Sequence, residues 1–116
     1  MKTPRPGLPV RGSRTGRPIM AALDLLGRRW TLRILWELRS EALSFRELRE
    51  RCGGVSPTVL NVRLAELREA GMVQSGEQSG YLLTRLGDEL LDALQPVNAW
   101  AKRWAKSVHK NEDAKR

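Results

Sequence analysis

Residues 55–71 constrain the fold more than any other stretch, because they carry a helix start, a helix stop and one apolar stripe between them. Ser56 offers its hydroxyl to the orphan amides of a first turn, and Pro57 suits the next position, where a missing N–H has no intrahelical partner to lose. Gly71 is a natural stop, since glycine tolerates the left-handed backbone that ends many helices. Leu60, Leu64 and Leu67 recur at i, i+4 and i+7, so one face points into a core. The pattern predicts a helix that starts at Ser56 and ends near Ala70.

Steps of about 100° per residue put Thr58, Val62, Ala65 and Glu69 opposite that stripe, with Asn61 on its shoulder. The N-terminal half of this outward face is small and uncharged. A face of that kind enters a DNA major groove closely, with Asn61 matched to an adenine edge and Val62 to a thymine methyl. Upstream, Ser44 and Glu47 have the spacing of a capping box for a short helix running to Arg51, with Phe45 and Leu48 facing inward. Cys52, Gly53, Gly54 and Val55 join the two. A short, glycine-containing turn between two helices is the helix-turn-helix arrangement, whose second helix reads base edges.

A chain of 116 residues suits one domain with a modest core. Its net charge of +8 and pI near 10.8 point to a polyanionic partner, nucleic acid ahead of an acidic membrane surface. Lys2, Arg5, Arg11, Arg14 and Arg17 all precede Pro18 with no acid among them. Proline and glycine also crowd this segment while apolar residues are nearly absent, so residues 1–17 are expected to form a disordered basic arm, placed to lie along a DNA groove or backbone. The arm lacks the apolar centre of a secretory signal, and no later run approaches the ~20 apolar residues that span a bilayer. A cytoplasmic protein without a membrane partner is therefore expected, and the single cysteine agrees with that compartment.

The remaining elements follow in order within a domain over residues 18–108. Pro18 opens a first helix, Ile19, Leu23 and Leu26 share one of its faces, and Gly27 ends it. Residues 30–39 are apolar around much of a helix circumference, which predicts a central helix with Trp30 and Trp36 in the core; surface ligand stacking is the alternative for the two rings. Residues 72–74 and 81–83 read as a β-hairpin around a small loop. Thr84 caps a further helix whose inner stripe is Leu86, Leu90 and Leu94. Pro96 kinks or restarts it, and Val97, Trp100, Ala101, Trp104 and Val108 then line one side of a last helix. Residues 109–116 read as a polar, frayed tail. The order is that of a winged helix: mainly α with a small β-hairpin.

Several blocks together resemble the HxlR-type family of bacterial winged helix-turn-helix transcription regulators. They are residues 22–38, Phe45 to Leu48, Val55 to Leu60, Arg63 to Leu67, Gly71 to Val73 and Tyr81 to Gly87, so the match runs from about Ile19 to Trp104. The resemblance implies a DNA-binding homodimer that represses or activates nearby genes, joined through its terminal helices, with residues 56–63 against the major groove. Many family members carry a cysteine shortly before the first helix, sometimes used for sensing, where this chain reads Gly16, Arg17, Pro18, Ile19. The family's wing is often longer and contains proline and arginine, whereas here the loop carries only Glu77 as a charge.

The candidate DNA-binding residues are therefore Arg28, Arg29, Arg46, Ser56, Pro57, Thr58, Asn61, Val62 and Arg63. Thr58 and Asn61 are the base readers unless they are simply solvated helix positions. Arg28, Arg29 and Arg46 stand at or just before helix starts, where they hold phosphates or act as ordinary surface charge. Arg63 is open to a phosphate or to a carboxylate of the preceding helix. Glu66 and Glu69 would face phosphates at a cost, which keeps the C-terminal half of the helix away from DNA. Ile19, Leu23, Val97, Trp100 and Trp104 are the candidate dimer interface, because a monomer struggles to hide two tryptophans four residues apart on a terminal helix.

Other chemistry finds little support in the residues. Cys52 matches an apolar position and reads as core rather than a redox switch. His109 is isolated, no Cys or His cluster has metal-ligand spacing, and Asp88, Glu89 and Asp92 are explained by the helix dipole. Without a paired nucleophile and base or a glycine-rich phosphate loop, no enzyme activity and no cofactor are expected. The expected partners are double-stranded DNA, at a near-palindromic operator, and a second copy of the chain. An unidentified small-molecule effector near the tryptophans remains an open alternative to packed core. The competing function is a winged-helix protein-interaction module without sequence-specific DNA reading, whose mark would be acidic or bulky apolar residues on the outward face.

Overall fold

In the computed structural model, which describes residues 3–10 and 16–114, the core is built around helix α2 (Thr31–Glu37). Ile34 and Leu35 of α2 are wholly shielded, as its apolar circumference requires. Around it lie α1 (Pro18–Leu26), α3 (Phe45–Cys52) and α4 (Pro57–Glu69), followed by strands β2 (Val73–Ser75) and β3 (Gly80–Leu83). Helices α5 (Arg85–Ala93) and α6 (Gln95–Ala114) complete the chain. Pro96 stands in the first turn of α6, so it restarts the helix after Leu94 closes α5.

A strand absent from the sequence reading, β1 (Leu43–Ser44), pairs with β3 and makes a three-stranded antiparallel sheet in the order β1, β3, β2. Its register sets Leu43 opposite Tyr81, while Val73 faces Leu83 across the β2 and β3 pair. Two residues carry too little periodicity to announce a strand, and only the neighbouring β3 edge recruits them. The wing between β2 and β3 closes through a turn at Glu77–Ser79 in which Gln78 takes a left-handed backbone with φ of 66°. This is a winged helix-turn-helix.

Side-chain placements on α5 and at Trp36 differ from the sequence reading. On α5 the inward residues are Gly87 and Leu91, while Leu86 is exposed and Leu90 and Leu94 are only partly buried. The rotation has a steric cause: a β-carbon at residue 87 would overlap the carbonyl oxygen of Met72, so the glycine must face the sheet. Trp30 is partly buried against the core, capping α2 with a left-handed φ of 78°. Trp36 sits at the rim, where the Arg39 guanidinium lies 4.3 Å above its ring. On α1 it is Ala21 and Leu25 that enter the core, leaving Ile19 and Leu23 outside it.

The termini also carry more structure than composition predicts. Residues 3–10 form a strap against the domain: Pro4 is buried, Thr3 and Arg5 bind Glu69, and the Gly7 amide donates to the Gly16 carbonyl at 2.8 Å. One buried ring and one anchored carboxylate suffice to hold a segment too polar to form a core itself. Lys2, Arg11 and Arg14 of the expected arm lie outside the described residues, as do residues 115 and 116 of the tail. The tail reads as helix through Ala114 instead of fraying at His109. Among the described residues no helix is long and apolar enough to cross a membrane.

Candidate nucleic-acid interface

The interface is built from two caps and a turn. Ser44 accepts the Glu47 amide at 3.1 Å and returns its own amide to the Glu47 carboxylate at 3.0 Å, so α3 begins with the full capping box. These bonds from Ser44 hold the Glu47 carboxyl below the usual carboxylate range. Gly53 and Gly54, at φ of 65° and 145°, then reverse the chain through conformations that side chains resist. Arg49 reinforces the turn by donating to the Val55 carbonyl at 3.3 Å. Ser56 accepts the Val59 amide at 3.1 Å and Pro57 takes the first position of α4.

With its ends fixed, α4 divides as its pattern dictates. Leu60, Leu64 and Leu67 are buried, and Ser56, Pro57, Thr58, Asn61, Val62 and Ala65 are exposed. Among the described residues, none covers the small, neutral face between Thr58 and Val62. Arg46, Arg49, Ser56 and Pro57 line a recess of about 580 Å³ where the starts of α3 and α4 converge. Arg49 escaped the sequence reading, although it follows Arg46 by one turn of the same helix.

The arginines separate into exposed and committed ones. Arg46 is 90% exposed beside Glu50 at 3.3 Å, and Arg29 is exposed with its guanidinium 5.5 Å from the Trp30 ring. Arg28, expected near phosphate, is instead drawn into the protein, where it pairs with Glu66 and lies 3.9 Å from Asp24. Arg63 donates to the Arg29 carbonyl and to Glu66, each at 2.8 Å, so its carboxylate partner is on its own helix and not on the preceding one. Glu66 is correspondingly buried between two guanidinium groups instead of facing solvent. The shared, buried carboxylate offsets the desolvation of both arginines, a pairing that a helical wheel does not reveal. Glu69 is outward, as predicted, but its charge is met by Thr3 and Arg5, which hold its carboxyl below the usual range.

A second exposed surface is apolar. Ile19 and Leu23 on α1, and Val97, Trp100 and Trp104 on α6, all lie open. Trp100 and Trp104 are 52% and 58% exposed and stack on each other with centroids 5.6 Å apart. Cys52, by contrast, is buried in the core, and desolvation pushes its thiol pKa up.

The HxlR-like helix-turn-helix family matches residues 25–109. A helix-turn-helix transcriptional regulator of Methanocaldococcus jannaschii, itself uncharacterised, is 32% identical over 90 residues, covering 73% of this chain and 83% of that protein. Among solved structures, quinone-bound YodB from B. subtilis is similar with a TM-score of 0.69 at 32% identity, covering 73% of this chain and 96% of that one. A possible HxlR family transcriptional factor from Thermoplasma volcanium gives a TM-score of 0.66 at 29% identity, with coverage of 77% and 85%. With the capped turn, the exposed α4 face and the wing in place, the chain belongs to the HxlR-like helix-turn-helix family, whose members are DNA-binding transcription regulators and not enzymes.

Proposed function

We propose that the protein acts as a homodimer on a near-palindromic operator, with α4 as its recognition helix. The observation that carries this reading is the exposed, neutral face of Thr58, Asn61 and Val62 on a helix whose opposite leucines are buried. Asn61 pairs with an adenine edge and Val62 touches a thymine methyl. Arg29, Arg46 and the Ser56 hydroxyl bind phosphates beside it, and Pro57 keeps the helix start close to the backbone. Arg28 and Arg63 serve the interface from behind, by fixing α4 against α1 through Glu66. The wing, with Glu77 as its charge, contributes little to phosphate binding.

Ile19, Leu23, Val97, Trp100 and Trp104 form the dimer contact, since open apolar surface of this kind marks an interaction site. Two recognition helices then address half-sites about 10 base pairs apart, centre to centre. Such a protein works where the DNA is, in the cytoplasm. The quinone bound in the YodB structure suggests an effector for this chain as well. Its only cysteine, however, is buried with a raised thiol pKa, so an effector here binds without a covalent thiol bond.

Selecting bound fragments from genomic DNA, then titrating the selected operator and random duplex, tests the reading. Asn61→Ala is expected to cost about 1 to 3 kcal/mol at one base position of the operator. Equal losses on both DNAs would remove Asn61 as a reader. A strictly monomeric mass at micromolar concentration would defeat the homodimer.

A further inference from the structure

The strap of residues 3–10 closes one side of a groove of about 630 Å³ between α1, α5 and the C-terminal end of α4. That volume suits a small molecule. Its floor is apolar, made by Ala22 and Leu25 of α1, Leu86 and Leu90 of α5, and Met72. Two carboxylates, Glu69 and Glu89, stand among the lining residues. The open apolar residues of α1, Ile19 and Leu23, do not line it, so the groove is separate from the proposed dimer face.

The strap shows what chemistry this groove accepts. It presents a buried proline ring followed by a guanidinium: Pro4 packs inward and Arg5 reaches Glu69 at 3.2 Å, assisted by the Thr3 hydroxyl at 2.8 Å. Glu89 has a looser cation, Arg85, at 3.6 Å. An apolar body with one positive charge is therefore complementary to the site. We propose that the groove binds apolar organic cations, which displace Pro4 and Arg5 and place their charge between Glu69 and Glu89. Pro4 and Arg5 line the groove and hold Glu69, so the strap competes with such a cation for the same carboxylate. Because Glu69 closes α4, the exchange takes place on the recognition helix itself; that consequence, though not the binding, rests on the regulator reading.

Calorimetric titration of the full chain with tetraphenylphosphonium and its isosteric anion tetraphenylborate tests the proposal. A protein of net charge +8 favours anions in the absence of a dedicated site, so preference for the cation is a stringent sign. The cation is expected to bind one per chain and more tightly than the borate. Glu69→Gln should weaken it by about twofold to fivefold, and Arg5→Ala should tighten it by a similar factor because the internal competitor loses its charge. Ala22→Trp, which fills the floor, should remove binding. Equal or tighter binding of the borate, or unchanged cation affinity in Glu69→Gln, overturns the assignment. The titration contains no DNA, so failure to find an operator leaves it standing. A protein that binds its operator without this cation selectivity loses only the groove.

Discussion

The two halves of α4 are one helix put to opposite uses. From Pro57 to Val62 the outward side chains are small, neutral and open, and the helix is fixed there by Ser56 and by the leucines beneath. From Arg63 to Glu69 three polar side chains turn back on the protein: Arg63 and Glu66 bind the segment after α1, and Glu69 holds the strap. A basic or acidic residue on a recognition helix is thus not by that fact a contact to DNA. The N-terminal half remains chemically light and open, and the C-terminal half, which the rest of the protein engages, carries the charges.

The contrast is sharpest if the halves are broken separately. Glu66→Ala, which leaves Arg28 and Arg63 facing each other without their shared carboxylate, should destabilise the domain by about 3 to 5 kcal/mol in denaturant unfolding. A loss below about 1 kcal/mol would mean that water replaces the carboxylate and that these pairs do not anchor the C-terminal half. Asn61→Ala should do the reverse, lowering operator affinity as proposed above while moving unfolding stability by no more than about 0.5 kcal/mol. If it unfolds the protein instead, the distinction between the halves fails. Ser56→Ala falls between them: losing the cap should cost about 1 kcal/mol of stability and weaken binding to all DNA sequences alike.

The smallest effect concerns the strap and acid. Thr3 and Arg5 depress the Glu69 pKa, so the strap's attachment is complete at neutral pH and is lost as pH falls through that lowered value. The NMR shift of the Gly7 amide, which donates to Gly16, should move with a midpoint below that of an unpaired glutamate. A midpoint at or above that of an unpaired glutamate would show that Glu69 is not the anchor.

Local signals were sufficient wherever a conformation is decided by neighbours in sequence. The capping box at Ser44 and Glu47, the Ser56 and Pro57 start of α4, the Thr84 cap and the Pro96 restart all appear where the residue types place them. Periodicity also gave the buried stripe of Leu60, Leu64 and Leu67 and the open face of Thr58, Asn61 and Val62. The same reasoning misjudged α5, because Gly87 faces inward only once Met72 lies across it. It overlooked β1, whose two residues become a strand only beside β3.

What the sequence determined by itself is the set of helices, their capped starts and which side of α4 is free, since i to i+4 spacing and caps act over a few residues. Only the tertiary structure decided which charges are spent. Arg28 and Glu66 are 38 positions apart, and Thr3 and Glu69 66 apart, so no local pattern links them. Electrostatic pairing depends on distance in space and on burial, and both come into being when α1 and the strap close over the end of α4.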